Sequence, residues 1–482
     1  MPPTLSQLIT LNDTMQAFDL PILDIRALLD AGTIRSIDLA EECIARTQTR
    51  ANLNAWVSFD PEALRLAARD ADDRIAAGQR LPLLGILIAL KDNIEAVGLG
   101  CGAGTASLAG KQPKADAELV TRLRSAGAVI AGKVGMHELA LGITSNNAVT
   151  GSVRNPWDPT RIPGGSSGGS GAAVGGRLVQ ASIGTDTGGS VRVPAALCGV
   201  TGFRPTVGRV PGQGIAPISV TRDTAGPLAH SVADCALIND VLTNTPTTRQ
   251  VIELKGLRLG VPRTPFWSNL EPNLARVAEV ALDLLRDAGV ELVDIDLPTV
   301  FELNSVTSFP IALYEFVRDM RLYLQERSRG VSLEQMIDEV ASPDVRGAVG
   351  TLLSGGGIPE EVYQNALASR KQLQTLYEQT FVRYRIEALV FPTTPRTAAL
   401  IGEDSTVELN GQQEPVFGTF IRNTDPGSNA SLPGVTLPIG LANSLPVGLA
   451  LDGPFNSDRR LLSIASAIEA VLPLVPQVPA AV

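Results

Sequence analysis

The sequence predicts an α/β protein, a sheet with helices on both faces, and three observations predict it. Leu83-Leu84-Gly85-Ile86-Leu87-Ile88-Ala89-Leu90 is an unbroken apolar run of strand length. Residues 117–126 read as a helix that leads into a second apolar strand, Ala128-Val129-Ile130-Ala131. Strands apolar throughout are covered on both sides, and strand–helix–strand order supplies the cover.

The remaining elements follow in order. The first eighty residues read as helices, one starting at an N-cap near Ser36 and one over Pro61–Ala77. Residues 142–170 carry Asn, Pro and Gly throughout and read as loop. A helix is expected to start within Ser170–Val174, and a strand over Val179–Ile183 delivers a second glycine cluster. Residues 270–289 read as an amphipathic helix and 300–386 as a mostly helical insertion. Ala388–Thr393 is a returning strand, and Val435–Ile439 with Val447–Leu451 is a late hairpin. No linker-like stretch separates independent units. The expected organisation is one domain over 1–482: N-terminal helices 1–80, a core 81–240, a variable helical segment 300–386 and a C-terminal return to the sheet 387–482.

Composition narrows the function classes. With 44% hydrophobic and 19% charged residues the chain is a globular protein with a sizeable core. A net charge of -10 argues against nucleic-acid and anionic-membrane surfaces. The N-terminus, Met1–Gln7, has neither a basic nor an apolar leader pattern, and no apolar run reaches bilayer length. Cys43, Cys101, Cys198 and Cys235 form no paired spacing, which points to reduced thiols and a cytoplasmic location. Only two histidines are present, His137 and His230, so imidazole chemistry and His-based metal sites are disfavoured from the outset.

Two glycine–serine clusters then stand out: Pro163-Gly164-Gly165-Ser166-Ser167-Gly168-Gly169-Ser170 and Gly184-Thr185-Asp186-Thr187-Gly188-Gly189-Ser190. Such clusters often make turns. Neither is followed by the Gly-Lys-Ser/Thr of a phosphate loop, and Gly102-Ala103-Gly104-Thr105-Ala106-Ser107 lacks the third glycine of a dinucleotide fingerprint. Gly164–Gly168 fits G-x-S-x-G, but that elbow needs a strand before it and a late histidine. Three prolines between Asn155 and Pro163 exclude a central strand, and the only downstream histidine, His230, lies halfway along the chain.

Lys91 offers another chemistry. A serine hydroxyl needs a base, and a lysine can serve once burial disfavours its charged form. Lys91 ends the apolar run, where a strand carries it to the sheet edge. Ser166 could relay a proton between Lys91 and Ser190, and the glycines beside it permit unusual backbone geometry. The helix start after Ser190 aims successive amides outward as an oxyanion site, and side chains at 188 and 189 would block the approach.

At these residues the chain resembles the amidase signature family, closely over 83–234 and more weakly over 388–452. Lys91 stands 99 residues and Ser166 24 residues before Ser190, as in that family. The resemblance implies a mixed, twisted sheet covered by helices on both faces. It also implies Lys91 as base, Ser166 as relay after a cis peptide bond to Gly165, and Ser190 as acyl-accepting nucleophile. Thr187, Gly188, Gly189 and Ser190 map onto the oxyanion hole, Asp186 and Arg192 onto the acid–base pair behind it, and Ala140 onto an acyl-pocket position, with Thr144 nearby.

Met136–Asn147, Phe203-Arg204-Pro205-Thr206 and Thr221–Pro227 resemble indoleacetamide hydrolases, and much of this is shared with mandelamide hydrolases. An amidotransferase A subunit usually carries Lys-Pro-Thr where Arg204-Pro205-Thr206 stands, and an acidic-aromatic segment at 137–139. The implied activity is therefore hydrolysis of a primary or aryl amide by a free-standing enzyme without cofactor or metal. Aryl carbamate or ester hydrolysis and an amidotransferase role are the alternatives, and a homodimer is left open. His137 is read as structural rather than catalytic. The pocket walls are expected from 136–147, 300–386 and Thr424–Gly427, with Phe309, Tyr314, Phe316 and Phe417 as candidate aryl contacts.

Overall fold

The computed structural model describes residues 17–245, 250–327, 329–473, 475, 476 and 478. The N-terminal leader region read above lies outside these residues. Eleven strands form one mixed sheet: β1 (Trp56–Ser58), β2 (Leu87–Lys91), β3 (Val129–Val134), β4 (Ala181–Asp186), β5 (Thr201–Arg204), β6 (Thr224–Ala229), β7 (Arg258–Pro262), β8 (Glu291–Asp296), β9 (Ala388–Pro392), β12 (Gly434–Ala442) and β13 (Leu445–Asp452). Their order across the sheet is β1-β3-β2-β4-β6-β5-β12-β13-β9-β7-β8. A separate hairpin joins β10 (Thr406–Leu409) to β11 (Gln412–Pro415). Helices pack around the large sheet, so the expected α/β class holds.

The register of three strands positions the site. β2 runs parallel to β3 and to β4, with Leu90 beside both Lys133 and Ile183. Both flanks and both faces of β2 are occupied, and every residue from Leu87 to Lys91 is buried. Parallel strands end at the same edge, so Lys91 and the Thr185-Asp186 end of β4 emerge together. Ligands in open α/β sheets bind outside such carboxyl ends.

Several boundaries differ from the sequence reading for local reasons. The helix Ser36–Thr49 starts where expected, but Ser36 does not cap it. Its hydroxyl donates to Gly85 O at 3.0 Å, while Asp72 from the neighbouring helix Pro61–Ala76 accepts the amides of Ser36 and Ile37. The strand expected from Leu83 begins at Leu87, because Gly85 sits at φ +83° in a turn that only a residue without Cβ enters freely. The helix expected within 170–174 starts earlier, over Gly168–Gly175. Glycine's low helix propensity hides that start in the sequence. Small side chains there let the helix press on Arg192–Cys198: a Cβ on Gly171 would stand 2.9 Å from Pro194 O.

The segment 300–386 folds into five helices, Val300–Ser305, Ser308–Glu326, Leu333–Asp338, Pro343–Val349 and Glu360–Tyr384. Phe316, Met320, Leu324, Leu333 and Met336 form a cluster of their own that closes over Leu139 and Leu108 of the core. This insertion therefore docks on the turn that follows β3. Among the described residues no helix is long and apolar enough to cross a membrane.

Candidate active site

Lys91 is fully buried at the end of β2, beside the glycine-rich turn before the helix Gly168–Gly175. Its Nζ lies 2.8 Å from Ser166 Oγ, 2.7 Å from Thr185 Oγ1 and 3.5 Å from Thr185 O. Burial pulls this lysine from 10.5 down to about 7, although the carboxylates of Asp186 and Asp223 pull the other way. A neutral amine has two N–H groups and one lone pair. In that form the lone pair can take a proton from a neighbouring hydroxyl, of which Ser166 and Thr185 are both within reach. The Gly165–Ser166 peptide bond is cis, as the resemblance implies.

Ser190 stands where the chain leaves β4 for the helix Arg192–Cys198, and it opens into a cavity of about 280 Å³. The Ser167 amide donates to Ser190 O at 3.3 Å, and Ser167 Oγ donates to Thr185 O at 3.1 Å and accepts the Thr185 amide at 3.3 Å, so Ser167 joins the two serine clusters. The loop before Ser190 is fastened at each residue. Thr187 Oγ1 donates to Asp223 Oδ1 at 2.5 Å, Thr424 Oγ1 donates to Gly188 O at 2.7 Å, and the Val191 amide donates to Asp186 Oδ2 at 3.2 Å. Gly189 has φ +143°, and a Cβ there would collide with Thr424 Oγ1. A Cβ on Gly188 would come within 2.6 Å of Asp425 Oδ1. The amides of Gly188, Gly189 and Ser190 meet no acceptor among the described residues. Their positions suit a negatively charged oxygen.

Beneath this loop lies a buried ionic cluster. Asp186 meets Arg192 Nε at 3.2 Å, as expected, and also Arg204 Nη1 at 3.0 Å, which sequence reasoning did not assign. Burial alone disfavours the Asp186 charge, but the two guanidiniums outweigh it and hold the carboxyl well below its usual range. Arg192 also reaches Asp452 at the end of β13. Burial raises that carboxyl to about 6, against the pull of Arg192 and Arg204. The cluster ties β4, β5 and β13 to the loop that carries Ser190.

The cavity walls draw on all three expected regions and also on residues outside them, among them Ile218, Asp404, Val416 and Ile421. Ala140 and Thr144 both line it, along with Ile143, Ile218, Leu313, Val416 and Asp425. Of the four candidate aromatics, Phe309 and Phe417 face the cavity, their ring centroids 5.7 Å apart. Tyr314 instead stacks on Tyr363 at 4.0 Å, and Phe316 is buried in the core of the insertion. Both lie on the helix Ser308–Glu326 outside the cavity lining; Phe316 follows Phe309 by seven residues on the same stripe but is packed into the insertion cluster, a distinction that sequence spacing alone did not draw.

Other contributors went unassigned in the sequence. Thr185 grips Lys91, and Asn93 Nδ2 donates to Thr185 Oγ1 at 3.2 Å. Arg222 binds Asp425 at 2.6 Å along one cavity wall. Thr185 sits inside the second glycine cluster and Asn93 two residues after Lys91, so their proximity to named residues was the only available signal.

Residues 38–462 match the family model described as Amidase. An indoleacetamide hydrolase from Agrobacterium vitis is 46% identical over 90% of this chain and 93% of that protein. A mandelamide hydrolase from Pseudomonas putida is 39% identical over 94% and 92%. Among solved structures, one described as an amidase superposes with a TM-score of 0.85 at 33% identity, covering 94% of this chain and all of that one. Native peptide amidase from Stenotrophomonas maltophilia gives 0.78 at 29% identity, covering 95% and 98%. With its sheet, its paired glycine–serine clusters and these matches over nearly the whole length, the chain belongs to the amidase family of amide hydrolases.

Proposed function

We propose that the protein hydrolyses an aryl-substituted carboxylic acid amide through an acyl-enzyme on Ser190, with Lys91 as base and Ser166 as proton relay. One observation carries this reading. A buried lysine whose neutral form is favoured sits 2.8 Å from Ser166 Oγ, behind a loop of unpartnered amides that ends in Ser190. The lysine lone pair takes the Ser166 proton while Ser166 takes that of Ser190. The Ser190 oxygen then adds to the amide carbon. The carbonyl oxygen gains the charge, and the amides of Thr187, Gly188, Gly189 and Ser190 receive it. Collapse of the adduct breaks the C–N bond. The leaving nitrogen takes its proton from Ser166, which is replenished from Lys91. Water, deprotonated along the same path, then releases the acid and frees Ser190.

The cavity supports an aryl acyl group. It is largely apolar, holds about 280 Å³, and carries the Phe309 and Phe417 rings. The names of the indoleacetamide and mandelamide hydrolase relatives point the same way. The test is kcat/KM on a panel of aryl and aliphatic amides, with matched carbamates and esters, for wild type and Ser190→Ala. Aryl amides are expected to lead the panel, and Ser190→Ala is expected to lose turnover and labelling by a fluorophosphonate. Retained turnover in that variant refutes the mechanism, and preference for esters or carbamates refutes the substrate class.

A further inference from the structure

The turn after β3 connects the insertion to the serine machinery through one side chain. His137 is fully buried. Its amide donates to Ser166 O at 3.0 Å, so its backbone holds the peptide that carries the relay serine. Its Nδ1 accepts the Ser145 amide at 3.2 Å, and Ser145 Oγ in turn donates to Ser166 O and accepts from the Gly168 amide. An acceptor at Nδ1 places the proton of the neutral ring on Nε2. That Nε2 lies 2.9 Å from Asp344 Oδ2. Asp344 and Ala348 belong to the helix Pro343–Val349, and both line the acyl cavity. The neighbouring Glu138 accepts the amides of Ala341 and Ser342, which fixes the entry to that helix. No slack exists around the ring, because a Cβ on Gly142 would overlap it.

We propose that His137 is a positioning residue for the reaction, holding the Asp344 wall of the acyl cavity against the peptide that carries Ser166. The proposal rests on the acyl-cavity reading given under Proposed function. A small acyl group stops short of this wall, whereas an aryl group is held by it. Loss of the tie therefore acts mainly on the larger substrate.

The test is selectivity in the full-length enzyme. Wild type, His137→Gln, Asp344→Ala, Asp344→Asn and the His137→Gln/Asp344→Ala double variant are compared for kcat and KM on phenylacetamide and acetamide. Melting temperatures establish which variants fold. In His137→Gln the phenylacetamide-to-acetamide ratio of kcat/KM is expected to fall by about tenfold or more, chiefly through KM for phenylacetamide. Asp344→Ala should fall as far, and the double variant no further, because both remove one contact. Asp344→Asn keeps an oxygen in the place of Oδ2 beside Nε2 and should hold the ratio within about threefold. An unchanged ratio in His137→Gln, an equal loss on both amides, or effects that multiply in the double variant overturns the proposal. Where His137→Gln does not fold, the Asp344 pair decides alone. Where wild type turns over neither amide, the proposed function fails, and the wall is tested by calorimetric Kd for phenylacetate across the same variants, with the same pattern expected.

Discussion

The proposed base makes a quantitative claim. Lys91 is held near 7 by burial, so its neutral fraction rises from about one tenth at pH 6 to about nine tenths at pH 8. An ordinary lysine at 10.5 would be only about 0.3% neutral at pH 8. Burial thus supplies on the order of a few hundred times more free base. The expected kcat/KM profile on a neutral amide rises roughly tenfold between pH 6 and pH 8 and then levels off. Asp223→Asn keeps an acceptor for Thr187 Oγ1 and removes a carboxylate that raises Lys91, so its midpoint should move to lower pH. A flat profile, or a midpoint above about 9, refutes the assignment of Lys91.

The same shift has a consequence for stability. Between about 7 and 10.5 the unfolded chain binds a proton at Lys91 that the folded chain does not. Stability therefore rises with pH across that window. Below about 7 the penalty is fully present, on the order of 5 kcal/mol. Lys91→Met removes the penalty and also about two hydrogen bonds, worth on the order of 1 kcal/mol each. The variant is expected to be inactive yet more stable than wild type at pH 7, with the advantage shrinking toward pH 10. Urea unfolding at both pH values measures it, and equal destabilisation at both refutes the reasoning.

Three further outcomes follow from the site. Gly189→Ala forces a Cβ into Thr424 Oγ1 at φ +143° and shifts the amides that face the oxyanion. Its kcat should drop by on the order of 10²–10³ with little change in KM, measured on any turned-over amide. Asp186→Ala leaves Arg192 and Arg204 buried without their shared carboxylate. A loss of about 3–5 kcal/mol is expected in denaturant unfolding, because uncompensated buried charge is costly. Phe417→Ala opens the cavity beside Phe309, and should raise KM for aryl amides several-fold while a small aliphatic amide changes little.

The central strand β2 was legible because it closes a run that is apolar on both faces, a pattern that survives without knowledge of its neighbours. Boundaries were less so. Ser36 resembled a cap, yet its hydroxyl was taken by Gly85 O and the helix end by Asp72, 36 residues away in sequence. The helix at Gly168 was obscured by glycines whose role is close packing rather than helix formation. Phe309 and Phe316 looked equivalent as pocket candidates, but they turned to opposite fates on one helix.

The sequence by itself determined the chemistry on offer: a lysine closing an apolar strand, two serine clusters with room for an oxyanion, and almost no histidine. Those features are local, since residue type and near-neighbour spacing decide whether a hydroxyl, an amine or a bare backbone is available. Only the tertiary structure decided the rest. Parallel pairing of β2 with β4 brought Lys91 to Thr185 and Ser166, and burial from every side made its neutral form accessible. The insertion set the cavity walls and placed Asp344 against His137. Desolvation and long-range pairing sum over elements distant in the chain, and so they become readable only once the chain is folded.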